Sequence, residues 1–95
     1  MKNILDLIQK MRVDCGWDKT DTLPILIKSV SVEAGELLET IQWNDQQFKE
    51  ERVKSELADV LMYALSIAID NDWDIEEILK NKIDDVYKRY FIEND

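Results

Sequence analysis

Residues 53 to 69 are apolar almost all the way round a helix. At about 100° per residue, Val53, Leu57, Val60, Leu61, Met62, Ala64, Leu65, Ala68 and Ile69 cover most of the circumference. A narrow polar stripe remains: Arg52, Ser55, Glu56, Asp59, Tyr63, Ser66 and Asp70. A helix of this kind must be buried on nearly every side. A chain of 95 residues hides only about 60% of its unfolded surface by itself. The pattern therefore predicts a helical bundle in which a second copy covers part of this helix.

The rest of the sequence also favours long helices, since it holds only two glycines and one proline. Ile4, Leu5, Ile8, Met11 and Arg12 recur at helical spacing and predict a first helix over residues 2 to 14. Cys15 to Thr22 reads as a loop, followed by Pro24 in a first helical turn. The second helix is expected from Leu23 to Trp43, with Asp45 capping a third that runs to Asn71. Asp74 and Glu77 stand in capping-box register and open a fourth helix to Tyr90. There is no internal repeat, linker or low-complexity segment. The expectation is one all-α domain over residues 1–95.

Within this apolar framework the acids carry the chemical signal. Glu33-Ala34-Gly35-Glu36 and Glu56-Leu57-Ala58-Asp59 each set two carboxylates on one helix face, with no cation in either window. Leu26, Val30, Leu37 and Ile41 flank the first pair on one side, Ile25 and Val32 on the other. Lys28, Ser31, Gly35 and Gln42 point to the broad solvent face, and Glu39 projects to the surface. A solvated acidic face would account for either pair alone in a chain with 21 acids. Two pairs, each on the apolar-flanked side of its helix, favour a site. If the helices pack with those faces together, four carboxylates converge. Either protons neutralise them, with large pKa shifts, or hard divalent cations do. The sharper expectation is a Mg2+ site, with Mn2+ as an alternative ion.

The formal charge of −9 argues against a groove that neutralises a nucleic acid polymer. Bound metal reverses the sign locally, so a small phosphorylated ligand stays open. The chain has no histidine. That removes the usual zinc sites, Ser-His-Asp and Cys-His arrangements, and the Glu-x-x-His motif of di-iron bundles. A single cysteine, Cys15, leaves no internal disulfide and fits a cytoplasmic location. Asp6 interrupts what would be the apolar part of a signal peptide. The longest apolar run, Val60 to Ile69, is too short to span a membrane.

Three tryptophans need roles. Trp73 precedes a helix start and reads as a packing plug or staple. Trp17 and Trp43 either pack in the core or form walls for a flat aromatic ligand. Lys80, Lys82, Lys88 and Arg89 gather near the chain's end, where they favour a helix C-terminus or meet phosphate oxygens.

Glu33-Ala34-Gly35-Glu36-Leu37-Leu38-Glu39, Gln42-Trp43 and Glu56-Leu57-Ala58-Asp59-Val60-Leu61-Met62-Tyr63 together resemble the MazG-like nucleoside triphosphate pyrophosphohydrolases, nearest their dCTP-pyrophosphatase-like branch. The likeness extends back through Cys15-Gly16-Trp17-Asp18 and forward through Lys82 to Arg89-Tyr90. It implies a four-helix bundle-like fold, intertwined into a homodimer or homotetramer. It also implies Mg2+ held by Glu33, Glu36, Glu56 and Asp59, a base flanked by Trp17 and Trp43, and phosphates near Tyr63 and Lys82. The implied reaction is attack of water on the α-phosphorus, giving a nucleoside monophosphate and pyrophosphate, as in house-cleaning of non-canonical or excess deoxynucleotides. Glu33 or Glu36 would serve as general base. Two positions depart from the branch: Val86 stands in place of an asparagine and Phe91 in place of a proline. The alternatives are a non-catalytic acidic module that engages a basic partner, as an antitoxin would, and a homologue that binds nucleotide without turning it over.

Overall fold

The computed structural model describes residues 1–92 and is all-α, with no strand among them. Its helices are α1 (Lys2–Cys15), α2 (Trp17–Thr20), α3 (Leu23–Glu39), α4 (Glu50–Asp70) and α5 (Ile75–Tyr87), and a wide π-helical turn, Lys88–Ile92, follows α5. The predicted loop after α1 thus contains one extra helical turn. Gly16 links α1 to α2 at φ 77°, a left-handed conformation that costs glycine little.

Two boundaries differ from expectation by about four residues, each for a local reason, and α5 gives way to the π-helical turn at Lys88 rather than running to Tyr90. α3 stops at Glu39 rather than Trp43. The Thr40 hydroxyl donates to the Leu37 carbonyl at 2.7 Å. Tighter bonds from Thr40, Ile41 and Asn44 to carbonyls three residues back then replace the α-pattern. α4 starts at Glu50 instead of beside Asp45. Asn44, not Asp45, is the polar hook: its Oδ1 accepts from the amides of Gln46 and Gln47 at 3.0 and 3.1 Å, which holds the segment as a turn. The start of α5 follows expectation, with the Asp74 side chain accepting from the amides of Glu76 and Glu77.

α3 and α4 form the principal antiparallel pair, α1 packs onto α4, and α2 packs against α1. Leu26, Ile8 and Ala68 are the buried apolar residues among those described. The expected burial of α4 on every side is not met within one chain, because Leu57 and Leu61 remain 45% and 48% exposed. On α3 the flank bearing Leu26 is covered while Ile25 and Val32 stay open. Trp73, at 53% exposure, does not plug the core. Every residue from 76 to 91 is exposed, including Ile78, Leu79, Ile83, Tyr87, Tyr90 and Phe91. The Cα radius of gyration is 16.3 Å, against about 12 Å for a compact domain of this length. α5 therefore extends away from the body with its apolar face uncovered.

Candidate metal centre

The pairing of α3 with α4 brings both acid pairs together. One oxygen from each of Glu33, Glu36, Glu56 and Asp59 lies within 4.8 Å of the others, and all four residues are partly buried. Spacing alone puts each pair on one face. The antiparallel packing turns the two faces toward each other, with the apolar flank of Leu26, Val30 and Leu37 beside them.

With every carboxylate ionised, Oε2 of Glu33 and Oε2 of Glu56 are buried without any donor. A buried charged oxygen left this way is costly. The molecule's electrostatics register the strain. The Glu33 carboxyl is pushed up to about 7, chiefly because its proton can be shared in a hydrogen bond with Glu36, with burial and the nearby charges of Glu36, Asp59 and Glu56 adding to it. Burial first, then the charges of Glu36 and Asp59, also raise Glu56. Hard oxygen donors, unpartnered and crowded together, are the donor set that suits Mg2+ or Mn2+. Oxygens on opposite sides of one octahedral Mg2+ sit about 4.2 Å apart, so the cluster is of the size that such ions span.

This gives a pH expectation for the metal-free protein. Glu33 is raised in the folded state, so between its ordinary value near 4.5 and about 7 the folded chain holds a proton that the unfolded chain lacks. Its contribution to stability is fully present below about pH 4.5 and is lost as pH rises through 7. In chelator, melting temperature should fall between pH 5 and 8 more steeply for wild type than for Glu33→Gln. Equal slopes would refute the shared-proton account.

Beside the cluster lies a cavity of about 130 Å³ lined by Glu33, Asp59, Trp17, Tyr63, Arg12 and Asp21, with Met11, Met62 and Ser66 completing the wall. Tyr63 is partly buried here; burial first, then the charge of Glu33, raises its phenol. The fold therefore brings Trp17 and Tyr63 to the carboxylates. It does not bring Trp43 or Lys82 there within one chain. Trp43 is 88% exposed in the turn beyond α3. Lys82 lines a separate hollow on α5 with Ile83, Val86, Tyr87 and Phe91.

Sequence reasoning missed an ion pair at the edge of the cavity, between a buried arginine and a partly exposed aspartate. Arg12, only 2% exposed, binds Asp70 through two bonds of 2.8 Å and Gln9 at 3.1 Å. That hydrogen bond to Asp70 and, against the cost of burial, the charges of Asp70, Asp21 and Asp18 hold the guanidinium protonated. The signal was present in two places: Arg12 occupies an apolar position of the α1 repeat, and Asp70 ends the polar stripe of α4.

A family model described as the MazG-like family matches residues 28–95. Among solved structures the chain is similar to a pyrophosphatase from Archaeoglobus fulgidus DSM 4304. The two are 32% identical and superpose with a TM-score of 0.88, over 96% of this chain and 92% of that one. No curated protein matches.

Proposed function

The chain belongs to the MazG-like family, and from that premise we propose that it is a Mg2+-dependent nucleoside triphosphate pyrophosphohydrolase, yielding a nucleoside monophosphate and pyrophosphate. The observation that carries this reading is the convergence of Glu33, Glu36, Glu56 and Asp59 within 4.8 Å. Likeness to a pyrophosphatase supports the phosphoanhydride chemistry. A merely acidic partner-binding surface accounts less well for the cluster, because such a surface would be solvated, whereas two of these oxygens are buried.

In this reading the four carboxylates hold the metal. When bound, Mg2+ supplies charge neutralisation of the triphosphate and acidification of a water. The proton acceptor for that water is Glu33 or Glu36. Glu33 is favoured because it lines the cavity while Glu36 does not. Trp17 forms a wall for the base and Tyr63 meets the phosphates, a reading supported by their both lining the cavity beside the carboxylates. Met11 and Met62 add non-polar lining to the same cavity. Offering a panel of ribo- and deoxyribonucleoside triphosphates with Mg2+, and scoring pyrophosphate and monophosphate release, tests the activity. No turnover of any member would reject it.

Assembly is part of the same proposal. The uncovered faces of α4 and α5 are apolar and continuous with a groove lined by Ile4, Ile8, Ala58, Leu61, Leu65 and Leu79. A second copy of the chain covers them, as a homodimer or homotetramer. Light scattering at micromolar concentration should give at least twice the mass of the chain; a stable monomer would contradict this.

A further inference from the structure

The Arg12–Asp70 pair, with its arginine buried and its aspartate side chain 30% exposed, sits outside the metal cluster and is not needed to hold an ion. A buried ion pair is weak evidence for stability, since well-packed apolar residues often do as well. Its specific contribution here is geometric. The guanidinium engages both Asp70 oxygens, Nη1 to Oδ1 and Nη2 to Oδ2, each at 2.8 Å. Such a two-point grip fixes orientation as well as distance.

Arg12 itself lines the cavity, and Asp70 is joined to its lining along α4. Asp70 lies on the same helical row of α4 as Asp59, Tyr63 and Ser66, three of the lining residues. On the other side, the Arg12 carbonyl accepts from the backbone amide of Gly16, the left-handed residue that ends α1. Trp17 follows immediately, and its carbonyl accepts from the Asp21 amide at 2.9 Å. A short covalent and hydrogen-bonded path therefore runs from Asp70 through Arg12 and Gly16 to Trp17. We infer that Arg12 and Asp70 are positioning residues that set Trp17 against the α4 row and so determine how tightly the base is held. This rests on the nucleotide reading of the cavity.

The test uses the full-length chain and Mg2+. The probes are a non-hydrolysable analogue of the triphosphate turned over fastest, and inorganic tripolyphosphate, which has no base. Asp70→Asn should weaken the nucleotide analogue by about tenfold and leave tripolyphosphate affinity unchanged. Arg12→Lys should do the same, because lysine keeps the charge but not the two-point grip. It also serves if the asparagine variant melts below the assay temperature. In a Trp17→Ala background, Asp70→Asn should cause no further loss of nucleotide affinity. A purely structural role would instead weaken both probes together and multiply with Trp17→Ala, and either result overturns the inference. Full nucleotide affinity in folded Asp70→Asn and Arg12→Lys would also overturn it. If Trp17→Ala itself binds nucleotide as wild type does, the base-wall reading fails too, so the two failures are told apart.

Discussion

Replacing Glu36 by Gln, or Asp59 by Asn, should lower Mg2+-dependent turnover by at least ~10²-fold, the scale seen when one preorganised charge-stabilising group is removed. The same substitutions should have the opposite effect on the metal-free fold. Four carboxylates within 4.8 Å repel one another unless a proton or a cation intervenes. At pH 8, above the value near 7 to which Glu33 is raised, the proton is mostly gone. Removing one charge then relieves repulsion, so in chelator each variant should melt above wild type. Mg2+ should stabilise wild type by mass action on the folded state, about 2.7 kcal/mol at a hundred times its Kd. It should do little for the variants. Thermal unfolding with and without Mg2+ reads both effects, and an equal Mg2+ response in all three proteins would refute the four-carboxylate site.

Trp17→Ala should weaken nucleotide binding by about 1–3 kcal/mol, or roughly 5- to 150-fold, the usual range for a base stacked on an aromatic ring. Trp17 is 43% exposed and lines the cavity, so one face is available to a ligand. If it merely packs, truncation costs fold stability through a cavity and leaves the affinity of folded protein unchanged. Titrating a non-hydrolysable triphosphate against folded variants separates these accounts. Trp73→Ala is the control, since Trp73 lies among Asp72, Asp74 and Ile78, outside the cavity lining. Trp43→Ala tests the assembly as well: at 88% exposure in one chain, Trp43 meets a base only if a neighbouring copy or the turn after α3 brings it there.

The parts of this site legible in the sequence are those that depend on periodicity. A spacing of three sets Glu33 with Glu36 and Glu56 with Asp59 on single faces, and the apolar residues beside them predict that those faces turn inward. α4 is legible as well: its apolar circumference is wider than the face one chain covers, and Leu57 and Leu61 remain exposed. Helix ends were less legible because single side-chain bonds decide them. The Thr40 hydroxyl donating to the Leu37 carbonyl and the Asn44 side-chain Oδ1 accepting from two amides outweigh the helical pattern that continues to Trp43. Arg12 and Asp70 lie 58 residues apart, and no local rule pairs them. Only the packing of α1 on the end of α4 makes the contact. The single chain likewise leaves Lys82 on the outlying α5, where sequence spacing carries no information about what it approaches.

The most direct test of the central claim is where the oxygen of water goes. Hydrolysis of a nucleoside triphosphate in 18O-labelled water with Mg2+ should put the label in the nucleoside monophosphate and none in pyrophosphate, as attack on the α-phosphorus requires. Label in pyrophosphate would move the attack to the β-phosphorus and contradict attack on the α-phosphorus, and release of labelled orthophosphate would contradict the assignment of this carboxylate cluster to pyrophosphohydrolysis.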